Sequence, residues 1–248
     1  MIKHIIILGS SYSTGKRIAL DYCNNNLEYE KTIYELNKLK DKQFSIATHA
    51  ILAQSEKWSD VIKTDSFFEG VKLVNDKDTF ISLLSNDKEI TALDIANYIL
   101  TKLKCTHTRL EKLTYFCYAD YLCKYNKKLF TDKIFAFKYG PVIESIYEKY
   151  KRSNCEIIEP PLETPLETPF NKDNQMSVKS RIMISLDGIK KINSIDETLE
   201  KYKNYNTNTL IALTHQNGTP WEINDQGQKS YKEISDADIL KHHKYEVI

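Results

Sequence analysis

Glycine and proline are scarce, with 7 and 6 in 248 residues. That scarcity excludes collagen-like and low-complexity chains and argues against long disordered tracts. Net charge is nearly absent as well: 35 basic residues against 34 acidic ones leave +1. A chain so balanced carries no overall footprint for nucleic acid or an anionic membrane surface. Apolar runs are short. The one nearest the start, Ile5 to Leu8, is too brief for a signal h-region or a membrane span, so a cytoplasmic protein without membrane attachment is expected. The 5 cysteines, at positions 23, 105, 117, 123 and 155, are odd in number and form no Cys-x-x-Cys pair. Free thiols in a reducing compartment are the natural reading. Cys105-Thr106-His107 offers two metal-ligand types, but no convincing second pair follows, so no metal and no cofactor is expected.

What is present fits a globular protein, with 41% apolar and 28% charged residues. A chain of 248 residues suits one large or two modest domains, at roughly 100–200 residues per domain. The 16 tyrosines supply ample surface for protein interfaces, where tyrosine is enriched.

Residues 2–9, IKHIIILG, read as a buried strand because the apolar run is β-branched and continuous. The segment Ser10-Ser11-Tyr12-Ser13-Thr14-Gly15-Lys16-Arg17 follows, and the residues from Lys16 onward read as a helix start. Strand, Ser/Gly loop and helix N-terminus together form the geometry that cradles phosphates. The candidate phosphate-binding residues are Ser10, Thr14, Gly15 and Lys16. The match to a phosphate loop fails at both ends, since Ser10 replaces the first glycine and Arg17 the Mg²⁺-coordinating hydroxyl residue. An ordinary strand-to-helix turn capped by Ser13 or Thr14 is therefore favoured. From Leu27 to about Ser55 the chain is helical in character, and residues 70–74, GVKLV, read as a second strand, paired in parallel with Ile5–Leu8. Asp76 or Asp78 opens the helix DKDTFISLLS. The polar joint at residues 85–89 marks a boundary between domains 1–88 and 89–248. The fold class is α+β: a small α/β unit, then a mainly helical domain.

The second domain opens with two amphipathic helical patterns. Thr91 and Asp94 can cap the first, and Thr108 and Glu111 the second, where Leu110, Leu113, Cys117 and Tyr121 recur at helical spacing. Residues 134–137, IFAF, form a brief extended segment. Tyr139-Gly140-Pro141-Val142 then turns into a third helix, with Pro141 at its first position. The prolines of residues 159–169, including a tandem LETP, mark a stiff linker. Residues 180–185 read equally as a strand or a helix entry. Ser194 and Glu197 cap a helix through Tyr202, Asn208–Leu213 form a short helix presenting Thr214-His215, Gly218–Trp221 turn tightly, and Ser235 and Asp238 cap a final helix.

Three stretches taken in order, ALDIANYIL with RLEKLTYFCYADYL and KKLFTDKIFAFKYGPVIESIYEKYK, then LTHQNGTPW, then ISDADIL, resemble the Panacea antitoxin domain of SocA-like proteins. The resemblance spans roughly residues 90–245. Its signature residues fall here on Leu110, Lys112, Leu113, Tyr115, Gly140, Pro141, Val142, Thr214, His215, Pro220 and Trp221. Three positions depart from the family's usual pattern: Arg109-Leu110-Glu111-Lys112 stands for Lys-Leu-Gln-Lys, and Phe137 for Trp. The resemblance implies a non-enzymatic antitoxin that binds a cognate protein toxin. It also allows for an adaptor that delivers the toxin to an AAA+ protease.

The residues themselves offer thin support for catalysis. His215 lacks a Cys, Ser or carboxylate partner at motif-level spacing, and a structural imidazole bonded to a backbone carbonyl is the economical reading. Tyr118, Tyr121 and Tyr125 share one helix edge and, with Tyr139, are the candidate partner-binding residues. Nucleotide or phosphate sensing at residues 10–16 is the alternative function. Nucleic-acid binding is not expected.

Overall fold

The computed structural model describes residues 1–11, 16–38, 44–153, 156–161, 178–225, 227 and 231–247. These form two compact units, one within residues 1–89 and one within residues 90–248. The fold is α+β, with an N-terminal sheet followed by helices. Residues 12–15 of the candidate phosphate loop (Thr14 and Gly15 included), the LETP repeats and Cys155 lie outside the described residues.

The first unit is a four-stranded sheet in the order β3-β1-β2-β4. Strand β1 (Ile2–Ser11) lies between β2 (Lys16–Cys23) and β3 (Ile46–Ala53), antiparallel to both, while β4 (Lys72–Leu73) runs parallel to β2. On one face Ile6, Leu8, Ala19 and Ala53 pack with Val61 of α2 (Trp58–Thr64) and with Phe68. On the other, Ile7, Ile18 and Leu20 meet Leu36 of α1 (Asn26–Lys38) and Phe80 and Leu84 of α3 (Lys77–Asn86). Apolar burial on both faces explains the unbroken apolar run of β1. Asp76 caps α3, accepting from the Thr79 amide at 2.7 Å.

Several expectations are corrected here. Lys16–Cys23 is a strand, not a helix, because its alternate residues Ile18, Leu20 and Tyr22 fit one apolar layer while Ala19 fits the other. The helical reading of 27–55 holds for Leu27–Lys38 but not for Ile46–Ala53, which pairs with β1. The segment around Val71 pairs with β2, not with Ile5–Leu8.

The second unit is organised around α5 (His107–Tyr125), whose every residue from Leu110 to Ala119 is buried. A helix buried on all sides must be surrounded by other elements. Here those elements are α4 (Ala92–Lys102), α6 (Glu144–Tyr150), α8 (Gly188–Tyr202), α9 (Thr207–Thr214), α10 (Asp236–His242) and strand β6 (Gly140–Ile143), with α7 (Val178–Met183) packed on α4 and α8. Strand β5 (Ile134–Phe137) pairs antiparallel with β6. The outer edge of β5 is closed by the main chain near Glu233: the Ala136 amide donates to Lys232 O and the Ile234 amide to Ile134 O, each at 2.8 Å.

Thr91 with Asp94, and Ser235 with Asp238, form capping boxes. The α5 cap is Thr106 rather than Thr108, since the helix begins a turn earlier than its apolar stripe. Helix α8 starts at Gly188, so Ser194 is a buried residue within it rather than its cap. The open choice at 180–185 resolves as helix α7 and the turn after it. Residues 140–143 are a strand and the helix starts only at Glu144, so Pro141 is not a first helical residue. No helix among the described residues is long and apolar enough to cross a membrane.

Candidate functional site: the signature cluster around Lys112

The two halves of the sequence signature, far apart in the chain, converge on the N-terminal half of α5. Glu111 and Lys112 are consecutive and both buried. Lys112 Nζ donates to the Pro141 carbonyl at 2.7 Å, and Glu111 Oε2 accepts from the Ile143 amide at 3.0 Å. Among the described residues, β6 has a strand partner, β5, on one edge only. These two charged side chains satisfy backbone groups on its other edge, which burial would otherwise leave unpaired. Pro141, which has no N–H to offer, sits opposite Ala136 within the hairpin.

Gly140 is required by two independent facts. Its φ is +100°, in the region that side chains avoid, and a Cβ there would lie 2.7 Å from Thr214 Oγ1 and 2.9 Å from Lys112 Cε. Thr214 ends α9 fully buried, its hydroxyl donating to Ile211 O and its carbonyl accepting from Thr219 Oγ1 at 2.7 Å. His215 lies flat on the Trp221 indole, with ring centroids 3.7 Å apart and planes 2° from parallel. Trp221 Nε1 donates to Phe137 O at 2.7 Å, closing the cluster onto β5. Pro220 is buried beside it, and its carbonyl accepts from Asn224 Nδ2. Leu110, Leu113, Tyr115 and Val142 are buried core residues.

The electrostatics follow from burial. Enclosure pushes the Lys112 ammonium down to about 8, against the opposing pull of Glu111 and Glu246. His215 is held below its ordinary value by burial and then by the Lys112 charge. Its imidazole does not bond a backbone carbonyl as expected: Nε2 is buried with no hydrogen-bond partner among the described residues, and the ring's contact is the indole face. Lys112 and His215 are thus tied into packing and backbone bonds, Lys112 out of reach of solvent.

The structure separates the tyrosine candidates. Tyr118 and Tyr121 are 2% and 1% exposed, so neither is a surface anchor. Tyr118 donates to Asp236 Oδ1 at 2.6 Å and packs on Phe130, and Tyr121 packs on the half-buried Tyr125. Helical spacing placed them on one edge, but α5 has no free edge there. Tyr139 is 61% exposed. Beside it in the hairpin, Phe137 stacks on the exposed Tyr231 at 3.8 Å. The phosphate candidates fare differently. Ser10 and Lys16 lie on neighbouring strands, and the chain after Gly15 continues as a strand, so the helix N-terminus that phosphate binding needs is not there.

A second polar cluster was not anticipated from the sequence. His243 bridges Asp120 Oδ1 and Glu246 Oε1, each at 2.8 Å, while Tyr115 donates to Glu246 Oε1 at 2.6 Å and Thr198 to Asp120 Oδ2 at 2.8 Å. Burial alone would lower the His243 imidazolium, but its hydrogen bonds to Asp120 and Glu246 outweigh it and raise it to about 9. Asp120 also forms part of the wall of a groove of about 440 Å³ lined by Ser194 and Lys201. Single-residue spacing carries no trace of this cluster, because its members come from α5, α8 and the chain end.

No curated protein sequence and no solved structure matches this chain significantly. One family model does, and it covers residues 110–222, the stretch that holds Lys112, the Gly140 hairpin and the Thr214–Trp221 turn. The family that this stretch matches is the antitoxin SocA-like, Panacea domain.

Proposed function

We propose that this chain is the antitoxin of a two-gene module and that it neutralises a protein toxin by direct contact. The observation that carries the reading is the match of residues 110–222 to an antitoxin domain family. The geometry of the domain is consistent with a binding role. Its most chemically suggestive side chains, Lys112 and His215, hold the hairpin and the α9 turn in place, and large aromatics remain outside.

The contact face we assign is the β5–β6 hairpin with Tyr139 and Tyr231, 61% and 58% exposed. Aromatic anchors on a rigid support are the usual centre of a binding surface. Tyr231 is backed by Phe137, and Phe137 in turn packs on Tyr147 at 5.5 Å. The hairpin itself is fixed from behind by Lys112, Glu111 and Trp221. Anchors held this way lose little freedom on binding.

The test is co-expression of the full chain with the product of the adjacent gene. Expected is a stable complex that survives size exclusion and is lost in Tyr139→Asp with unchanged circular dichroism. A neighbour that is harmless when expressed alone, or that never co-elutes, refutes the reading. A toxin whose level falls in the presence of this chain, and recovers in a protease-deficient host, would place neutralisation in delivery to an AAA+ protease.

A further inference from the structure

The β1–β2 hairpin brings together three residues of different chemistry. Cys23 stands directly opposite His4 in the β1–β2 register, and Asp21, two residues earlier, points to the same face of the sheet. His4 is fully buried, and both its ring nitrogens are engaged. Nε2 lies 2.9 Å from the Ser55 carbonyl oxygen. A carbonyl can only accept, so Nε2 carries the hydrogen. In the neutral ring Nδ1 is then a bare lone pair. It faces Asp21 Oδ2 at 2.7 Å and Cys23 Sγ at 3.3 Å.

Two electron-rich atoms at 2.7 Å need a positive charge between them. A proton on Nδ1 would serve, giving an imidazolium–carboxylate pair. Three further facts favour a cation that all three residues share. Asp21 Oδ1 is buried with no hydrogen-bond partner among the described residues, an uncompensated acceptor. The three donor atoms lie within 4.8 Å of one another. The thiol belongs to the same cluster, with Sγ 3.7 Å from Asp21 Oδ2.

We propose that His4 Nδ1, the Asp21 carboxylate and Cys23 Sγ bind a zinc-type divalent ion. One nitrogen, one oxygen and one sulfur donor form a set that suits zinc or cobalt rather than magnesium or calcium. With zinc about 2.0–2.2 Å from nitrogen or oxygen and 2.3 Å from sulfur, tetrahedral donors stand roughly 3.3–3.6 Å apart. The two sulfur distances already lie near that span. The Asp21 oxygen must withdraw by about half an ångström, or ligate through the free Oδ1 instead. Binding releases the Cys23 thiol proton to solvent and forms the metal–thiolate bond, with no change of oxidation state. The Ser55 carbonyl fixes the ring from behind, as the outer partner of a ligating histidine usually does. A fourth position is left to water on the half-exposed Cys23 side. The inference stands apart from the antitoxin reading.

The test is titration of the reduced full-length protein with Co²⁺ at neutral pH. Expected are a near-ultraviolet thiolate-to-cobalt band and intense visible bands of a four-coordinate ion, saturating at one equivalent and bleached by Zn²⁺. Cys23→Ser is expected to abolish the near-ultraviolet band, and Asp21→Asn to weaken binding by at least about 100-fold, the upper end of what losing an outer-shell partner costs. Cys123→Ser, which removes an exposed thiol of the second unit, should leave both bands unchanged. Circular dichroism establishes that each variant is folded. The proposal is overturned by a wild-type protein that shows no thiolate band, by a band that persists in Cys23→Ser, or by one that disappears in Cys123→Ser.

Discussion

Replacing Gly140 with alanine probes the signature cluster at its tightest point. The methyl group meets two separate penalties. A φ of +100° is costly for any residue with a Cβ, on the order of 1–3 kcal/mol. The added atom also lies 2.7 Å from Thr214 Oγ1 and 2.9 and 3.0 Å from Lys112 Cε and Nζ. Neither neighbour yields easily. Thr214 is fully buried and bonded to Ile211 O, and Lys112 is 1% exposed and bonded to Pro141 O. Forcing a methyl into a packed site costs about 1–3 kcal/mol, and displacing the Lys112 ammonium from its carbonyl about 1.5–3 kcal/mol more. Because these terms overlap, roughly 3–6 kcal/mol is expected for Gly140→Ala.

Gly218→Ala is the control, with a similar φ of +82° but only the Tyr245 ring nearby, at 3.3 Å. It should cost about 1–2 kcal/mol. Guanidinium unfolding followed by Trp221 fluorescence, in a Trp58→Phe background so that only the second unit reports, measures both. If Gly140→Ala falls within about 1 kcal/mol of Gly218→Ala, the crowding around Gly140 does not exist as described.

Other consequences can be read from the same contacts. Trp221→Phe removes the donor to Phe137 O and part of the stack on His215, and should cost about 2–3 kcal/mol by far-ultraviolet circular dichroism. Tyr118→Phe loses the hydroxyl bond to Asp236, at a cost of about 1 kcal/mol, and leaves partner binding intact, because the ring is inside the protein. His243 adds a pH dependence. Its folded value of about 9 lies above the ordinary 6.5, so its stabilisation is complete below pH 6.5 and is lost as pH rises through about 9. The shift amounts to about 3 kcal/mol. Lys112 and Lys191, both held down to about 8 by burial, act in the opposite direction and add stability between about pH 8 and their ordinary 10.5. The stability advantage of wild type over His243→Gln should therefore shrink between pH 6.5 and 9, and a constant difference would refute the bridge to Asp120 and Glu246.

What the sequence discloses here is local. Thr91 and Asp94, Ser235 and Asp238, and Asp76 are cap signals that act within four residues, and each caps where its side chain predicts. The apolar stripe of α5 is equally local. It understates the burial, because a helix packed on every side hides its tyrosines as well as its leucines. Strands depend on partners elsewhere in the chain. Lys16–Cys23 resembles a helix opening until β1 lies opposite it, and Gly140-Pro141 resembles a helix start until Ala136 and Phe137 pair with it. The clusters follow the same rule. Lys112 meets Pro141 across 29 residues and Tyr115 meets Glu246 across 131, so neither contact has a sequence period to betray it. The Panacea resemblance named Lys112, Gly140 and Trp221 without indicating that they meet around a hairpin.

The account turns on whether the face carried by that hairpin meets a toxin. Growth of cells expressing the adjacent gene, with and without this chain, measures it directly. Wild type should restore growth, Tyr118→Phe should restore it equally, and Tyr139→Asp combined with Tyr231→Asp should fail while remaining folded. If the double variant restores growth as well as wild type, the hairpin face is not the contact surface. If the adjacent gene is harmless on its own, neutralisation is not what this protein does.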